Sequence, residues 1–252
     1  MAIRTTSVRM VESITVNITE RIERSKSTER IDYSKIGCVN QQDPLVKVET
    51  SEKIIIAPVW TLEGDFEGGM YADYIAEHPE YDGIYIRSEL LNRLQAAANS
   101  LSEQYKLVVR AGHRPLAVQK RLLKECAQDY KDDNPGVSHE EAMEHARTFV
   151  SDPDIELPPH CCGAAVDAEL MDVTTNQLVD FGSTMNDDND TSFLHYDGIT
   201  DVQKEKRMLL LEIMLAQGLA STAFEWWHFS YGDEVWAWFY GKADALYGLT
   251  DL

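Results

Sequence analysis

Hydrophobic side chains recur at helical spacing in four stretches of the chain. In residues 88–104, leucine and alanine return every three or four positions, which predicts an amphipathic helix. The same spacing predicts helices over residues 115–130 and 200–218. Residues 138–150 form the fourth stretch, and the prolines that follow it end this helix.

Polar residues mark where these helices begin. Ser88 and Thr200 precede two of the periodic stretches and are predicted N-caps. Ser138 is followed three residues later by Glu141, which is the spacing of a capping box. Pro115 is suited to the first turn of its helix, because that position needs no backbone N–H.

Short apolar runs between the helices predict strands. Residues 107–109 are β-branched and apolar, and residues 164–170 read as a longer strand followed by a turn and return over 176–182. Residues 224–229 are aromatic and strand-like. Helices interleaved with short strands, without a regular βαβ series, favour the α+β class with a small central antiparallel sheet flanked by helices.

The first 50 residues have weaker periodicity than the rest. Residues 13–22 fit either a strand or an irregular arm that wraps the body. We therefore predict an amino-terminal arm over residues 1–50 and one domain over residues 51–252.

Composition and charge narrow the range of functions. The 252 residues carry 43 acidic and 23 basic side chains, a net charge of −20, which disfavours binding to nucleic acid or anionic membranes. No apolar run reaches the roughly 20 residues of a membrane helix, and no secretory signal is visible. Four cysteines without a CxxC spacing indicate free thiols in a reducing compartment, so we expect a cytoplasmic protein.

Three groups of polar residues could carry out catalysis. They are His160 with Asp167, Glu225 with His228, and Arg114 in a turn after a predicted strand. A catalytic zinc ion takes three nitrogen or oxygen ligands and leaves a fourth position for water. His160, Asp167 and His228 can supply those ligands, Glu225 can act as the base, and Arg114 can face the developing oxyanion. Taken singly, each also has an ordinary structural explanation, such as a loop histidine or an ion-pair arginine.

Geometry sets a condition on this cluster. Glu225 and His228 are three residues apart, so in a flat strand they would point to opposite faces. Both reach one centre only if the chain turns at Trp226 and Trp227. His160 and Asp167 likewise need a bend, which Gly163 permits.

These blocks resemble the D-Ala-D-Ala dipeptidase family of zinc peptidases. Residues 158–167, Pro-Pro-His-Cys-Cys-Gly-Ala-Ala-Val-Asp, follow the family pattern Ser-x-His-x-x-Gly-x-Ala-x-Asp except at its first position. Residues 225–228, Glu-Trp-Trp-His, match Glu-x-x-His, and residues 111–115 resemble the Asp-Gly-Tyr-Arg-Pro turn. The resemblance implies an α+β peptidase with one zinc ion per chain and a small peptide substrate.

By that resemblance His160, Asp167 and His228 would bind zinc. Glu225 would act as general base and acid, and Arg114 would stabilise the transition state. The favoured reaction is hydrolysis of D-alanyl-D-alanine or a similar D,D-dipeptide. The resemblance leaves the oligomeric state open.

The substrate contacts depart from the family pattern. The family's Gly-Ser/Thr-x-Phe-Asp block, whose aspartate pairs with the substrate ammonium, is matched by a block that ends at Asn186. Asp187 or Asp188 could replace that aspartate. Ser183, Asn186, Asp187 and Trp227 are therefore the candidate substrate-binding residues, with Trp227 as a pocket wall.

Three other functions fit parts of the same pattern. Pro158, in place of the family serine, keeps a D,D- or L,D-carboxypeptidase acting on longer cell-wall peptides as an alternative. An Fe(II) oxygenase also uses two histidines and a carboxylate, although its first pair is usually two residues apart. A zinc-stabilised binding module without activity is the third.

Overall fold

A computed structural model of the protein describes residues 18–29, 31–61, 66–185 and 189–252. Residues 18–24 are helical and form α1. The later helices are α2 Phe66–Glu77, α3 Ser88–Ser100, α4 Leu116–Asp133, α5 His139–Ala146, α6 Asp201–Ala216 and α7 Glu234–Phe239. The strands are β1 Gly37–Cys38, β2 Leu45–Lys47, β3 Ile54–Ile56, β4 Tyr85–Arg87, β5 Tyr105–Ala111, β6 Ala165–Asp172, β7 Gln177–Leu178, β8 Ala220–Ser221, β9 His228–Ser230 and β10 Asp244–Ala245.

The central sheet has the strand order β3-β5-β6-β9-β8, with β7 paired to β6. Its pairs are antiparallel except β3–β5, which is parallel. The prediction of an antiparallel sheet is therefore correct for all but this edge. The chain between β3 and β5 includes α2 and α3, and a crossover of this kind returns the second strand in the same direction. The α+β class is confirmed.

The main core lies where α3 and α6 pack near one another against the sheet. It is formed by fully buried side chains such as Leu94 on α3, Leu107 on β5, Leu170 on β6 and Leu211 on α6. A second cluster joins α2, α4 and α5 through side chains that include Met70, Val118, Leu122 and Ala142. Burial of these apolar side chains is the main force that holds the helices to the sheet.

The predicted N-caps are confirmed at Ser138 and Thr200 and wrong at Ser88, and Pro115 is the N-cap residue directly before α4 and does not lie in its first turn. The capping box at Ser138 is present, and Thr200 forms a second box with Gln203. Ser88, however, lies inside α3 rather than at its N-cap. The carboxylate of Asp43 caps this helix instead, because it accepts hydrogen bonds from the Ser88 hydroxyl and, at 3.1 Å, from the Glu89 N–H. A carboxylate from a distant segment could not be recognised from local spacing.

The described residues near the amino terminus pack against the core or pair with strands of the rest of the chain. The prediction of a strand or an irregular arm is wrong for residues 18–22, which are helical because Ile18 and Ile22, one helical turn apart, pack against the main core. Residues 13–17 lie outside the described residues. Downstream, β1 pairs with β10 and β2 with β4. The domain boundary near residue 50 stays a prediction.

Candidate active site

Three buried polar side chains converge in the structure. His160 Nε2 lies 3.3 Å from Asp167 Oδ2 and 3.2 Å from His228 Nδ1, and His228 Nδ1 lies 3.2 Å from Asp167 Oδ1. All three residues are more than 90% buried. Each offers a ligand atom to a common point, and these atoms lie within 4.8 Å of one another. Two imidazoles and one carboxylate in this arrangement fit the donor set of a catalytic zinc site.

The sheet and two turns bring these side chains together. Asp167 on β6 pairs directly with His228 on β9, so their side chains lie on the same face of the sheet. Gly163 adopts a left-handed conformation, φ 64°, after a short 3₁₀ helix that carries His160. Trp226 and Trp227 form a turn immediately before β9. Both bends required by the sequence spacing are therefore present.

A backbone carbonyl fixes the orientation of His160. Its Nδ1 lies 2.7 Å from the carbonyl oxygen of Gly112. Because a carbonyl only accepts hydrogen bonds, Nδ1 carries the proton and Nε2 presents its lone pair toward Asp167 and His228. This is the usual supporting contact of a metal-binding histidine.

The protonation of Asp167 and His228 is shifted by their surroundings. Burial alone would raise the pKa of Asp167, but the neighbouring His160 and His228 outweigh it and hold that pKa well below its ordinary value. Burial alone would lower the pKa of His228, yet the hydrogen bond and charge of Asp167 raise it to about 8. Asp167 is thus a carboxylate, which is the form of an aspartate side chain that can bind a cation.

Glu225 lies beside this cluster. Its Oε2 is 3.7 Å from His228 Nδ1, and its side chain is 27% exposed, so it reaches the solvent of the cavity. The turn before it is held by Thr222, whose hydroxyl accepts a hydrogen bond from the Glu225 N–H at 3.3 Å. A partly exposed carboxylate next to the three converging side chains can exchange protons with water there.

Arg114 lies across the same cavity and is held in place. Its backbone N–H donates to the carbonyl of His160 at 3.1 Å. Its guanidinium donates to the Tyr71 hydroxyl at 3.3 Å and to Gln119 Oε1 at 2.8 Å. Gln119 in turn donates to the carbonyl of Ser151 at 2.7 Å. These contacts fix a buried positive charge near the cluster.

Six of the predicted site residues share one cavity of about 950 Å³. His160, Asp167, His228, Glu225, Arg114 and Trp227 all line it.

Ser183 is not among the described residues that line this cavity. Its hydroxyl oxygen instead accepts hydrogen bonds from the indole N–H of Trp226 at 2.9 Å and from Arg207 at 3.4 Å. The adjacent Thr184 and Met185 do line it. Asn186 and Asp187 lie outside the described residues, so their predicted contacts with substrate stay predictions.

Two contributions to the cavity were missed in the sequence. Ser221 on β8 lines the cavity, is 2% exposed, and its hydroxyl has no hydrogen-bond partner among the described residues. The second is the segment from Arg24 to Ser34, which supplies part of the cavity wall. Neither has a local sequence signal, because a lone serine and a polar segment have the same composition as ordinary surface.

The cysteines are free thiols, as predicted. Cys161 and Cys162 follow His160 directly but are buried, and burial raises the pKa of Cys161 to about 12. A thiol with a raised pKa is a poor nucleophile and a poor metal ligand at neutral pH. Among the described helices, none has the length and apolar character needed to cross a membrane.

Comparison with known proteins agrees with the motifs. A profile of the peptidase M15 family, described as D-ala-D-ala dipeptidase, matches residues 84–244. A D-alanyl-D-alanine dipeptidase of Synechocystis sp. is 29% identical over 213 residues, covering 74% of this chain and 85% of that protein. A D-alanyl-D-alanine dipeptidase of Enterococcus faecalis is 26% identical over 140 residues, covering 56% of this chain and 69% of that protein.

Two solved structures are also similar. A mutant of the vancomycin resistance D,D-pentapeptidase VanY with Zn(II) is 21% identical, covers 66% of this chain and 83% of that one, and gives a TM-score of 0.39. VanYB in complex with D-alanine-D-alanine is 20% identical, covers 64% and 81%, and gives a TM-score of 0.40. Because the family profile spans more than half of the sequence, the chain belongs to the D-ala-D-ala dipeptidase family and is a metallopeptidase.

Proposed function

We propose that the protein hydrolyses D-alanyl-D-alanine or a similar D,D-dipeptide with one zinc ion held by His160, Asp167 and His228. The observation that supports it is the convergence of these three ligand atoms within 4.8 Å, in the wall of a cavity that Glu225 and Arg114 also line. Zinc bound there would polarise the scissile carbonyl and lower the pKa of water toward about 7.

Glu225 is proposed as the proton carrier. Its carboxylate accepts a proton from the attacking water and then delivers it to the leaving amine. Its Oε2 lies 3.7 Å from His228 Nδ1, and the side chain is exposed enough to exchange protons with water in the cavity. General acid–base catalysis of this kind contributes about 10²- to 10⁴-fold to a rate.

Arg114 is proposed to stabilise the oxyanion. Its charge is fixed by Tyr71 and Gln119, so little reorganisation is needed when negative charge develops on the substrate. The guanidinium is one of the few buried cations that line the cavity among the described residues.

Trp227 is proposed as an apolar wall against which the substrate packs. It is 2% exposed and belongs to both the main core and the cavity lining. Ser183, Asn186 and Asp187 are proposed as further substrate contacts. Ser183 would contact the substrate while its hydroxyl oxygen still accepts the hydrogen bond from the indole N–H of Trp226.

The names of two relatives support a dipeptide as substrate. The Synechocystis and Enterococcus relatives, which the match covers over 85% and 69% of their lengths, are both named D-alanyl-D-alanine dipeptidases.

We also propose a cytoplasmic location, since four free cysteines suit a reducing compartment.

The test compares Glu225→Gln with Glu212→Gln, a carboxylate on the exposed face of α6. Each variant is assayed for bound zinc by elemental analysis and for D-alanyl-D-alanine hydrolysis by alanine release. Glu225→Gln should keep one zinc ion per chain and lose about 10²- to 10⁴-fold in kcat, whereas Glu212→Gln should match the wild type. Wild-type activity in Glu225→Gln would refute the role of that residue.

The choice of substrates separates the alternative functions. A carboxypeptidase would cleave an amino-acetylated tripeptide ending in D-Ala-D-Ala as well as the free dipeptide, and a binding module would cleave neither. Iron in place of zinc, with oxygen-dependent turnover, would indicate the oxygenase. Preference for the free dipeptide with zinc bound is the outcome expected here.

A further inference from the structure

An amino-terminal segment forms one wall of the catalytic cavity. We call residues 24–29 and 31–34 the strap. All strap residues except Ser25 and Lys26 line the same cavity as Glu225 and Arg114. The strap lies outside residues 84–244, which carry the family match.

Side chains hold the strap at its amino-terminal end. The guanidinium of Arg24 lies 4.0 Å from the ring centroid of Trp238 and donates a hydrogen bond to the Trp238 carbonyl at 3.2 Å. Next to it, Ser25 is 2% exposed, and its hydroxyl oxygen lies 2.9 Å from His195 Nε2. A cation over an aromatic face and a buried hydrogen bond together form a defined anchor.

A second anchor lies at the other end. The Tyr33 hydroxyl donates a hydrogen bond to Glu156, which is also a cavity residue, and burial together with that carboxylate raises the pKa of Tyr33. Beyond it, the Gly37 N–H donates to the carbonyl of Ala243 at 3.0 Å, where β1 joins β10. The strap is therefore tied at both ends across the cavity.

Between these anchors the backbone hydrogen bonds are local. The Ser27 N–H donates to the Arg24 carbonyl, and the Lys35 and Ile36 N–H groups donate to Asp32 and Tyr33. The described part of the strap is thus attached to the body mainly through side chains and not as a strand of a sheet. Loosening it should leave the sheet and the cluster of His160, Asp167 and His228 in place.

We infer that the strap sets an upper limit on the length of the peptide that reaches Glu225. The cavity, at about 950 Å³, is at the upper end of the size range of small-ligand pockets and holds a short peptide. A longer peptide would have to extend beyond the cavity wall. The strap forms part of that wall and is held to the body by only a few side-chain contacts. This inference rests on the proposed function, because it concerns which substrates that site accepts.

The test uses Arg24→Ala, which removes both contacts with Trp238, combined with Tyr33→Phe, which removes the hydroxyl at the other anchor. Lys26→Ala is the matched control, because Lys26 is an exposed cation of the same segment that pairs with Glu23 and is not a cavity residue. Zinc-loaded proteins are assayed on D-alanyl-D-alanine and on a pentapeptide ending in D-Ala-D-Ala. Hydrogen exchange over residues 24–34 reports how firmly the strap is held.

The double variant should show faster exchange in the strap and a rise of about tenfold or more in the ratio of pentapeptide to dipeptide kcat/KM. Lys26→Ala should keep the wild-type ratio. Tighter pentapeptide binding, measured by calorimetry with Glu225→Gln added, should accompany the change.

Three results would overturn the inference. They are an unchanged ratio in a loosened strap, unchanged exchange in the double variant, and a wild type that already cleaves the pentapeptide as well as the dipeptide. If the wild type cleaves neither peptide, the proposed function itself fails, which is a different outcome.

Discussion

His160 Nδ1 lies 2.7 Å from the carbonyl oxygen of Gly112, and this contact connects two segments that are 48 residues apart in sequence. Gly112 belongs to the turn that carries Arg114, whose own N–H donates to the carbonyl of His160. The two hydrogen bonds run in opposite directions between the same two turns. The arginine and the imidazole are therefore positioned by one shared piece of backbone.

The first prediction concerns Gly112→Ala. A Cβ atom here would lie 2.6 Å from the Tyr85 carbonyl oxygen and 2.8 Å from Cγ2 of both Ile84 and Ile86. Because none of these contacts can be relieved by a flexible side-chain end, the backbone must move, and the carbonyl that orients His160 moves with it. We expect zinc affinity to fall about 10- to 100-fold, measured by competition with a chromophoric chelator.

Gly69→Ala is the control for that substitution. Gly69 lies in α2, and an added Cβ would meet open space. This change should leave zinc affinity unaltered and raise the free energy of unfolding by up to about 1 kcal/mol, since alanine favours the helix. Equal zinc affinity in the two variants would contradict the role assigned to the Gly112 carbonyl.

The second prediction concerns Arg114. Arg114→Lys keeps the charge but cannot reproduce the contacts with Tyr71 and Gln119, so kcat/KM should fall about 10²- to 10³-fold with zinc content unchanged. Tyr71→Phe removes one of those contacts and should cost about tenfold or less. Steady-state kinetics with elemental analysis measures both.

Arg121→Ala provides the comparison for Arg114. Arg121 is an exposed arginine in α4, the helix that follows Arg114, and it pairs with Glu125 and Asp73. It should retain wild-type kcat/KM. Normal turnover in Arg114→Lys would remove the arginine from the mechanism and leave it a structural residue.

The third prediction concerns Ser221, which lines the cavity and whose buried hydroxyl has no hydrogen-bond partner among the described residues. If a substrate group supplies that partner, Ser221→Ala should raise KM several-fold, up to about tenfold, with little change in kcat. The folded protein should not lose stability, because no internal hydrogen bond is removed. A stability loss with unchanged KM would show a structural role instead.

Much of the fold follows from local patterns. The helices that begin after Ser138 and Thr200 have the predicted N-caps, with the predicted capping box at Ser138, and the bends at Gly163 and before His228 are those that the spacing requires. These features depend on residues close together in sequence. Propensity and spacing therefore carry enough information to predict them.

Other features depend on distant residues and could not be predicted. Asp43 caps α3 from 45 residues away, and β3 joins the sheet in parallel because of where the intervening helices pack. The Arg24 contact with Trp238 spans 214 residues. In each case the partner is chosen by tertiary packing, which a single sequence does not display.

The last prediction concerns the pH dependence of stability at His195. Burial lowers the pKa of His195, the charges of Lys26 and Arg207 lower it further, and Glu23 opposes them. The Ser25 hydroxyl donates to the Ile22 carbonyl, so it accepts a hydrogen bond from the Nε2–H of His195. The lowered pKa favours the neutral imidazole in the folded state. Because the unfolded chain binds a proton near the ordinary pKa of about 6.5, the stability present above that pH should be lost as the pH falls toward the lowered folded value.

Two variants separate this effect from the hydrogen bond itself. His195→Gln removes the titrating group, so its free energy of unfolding should fall less than that of the wild type between about pH 7.5 and pH 5.5. Ser25→Ala removes the hydrogen bond but keeps the imidazole, so it should lower stability at every pH while keeping most of the slope. Urea unfolding at a series of pH values measures both. If His195→Gln and the wild type lose the same free energy on acidification, the imidazole is not the group responsible, and other groups must account for the acid sensitivity.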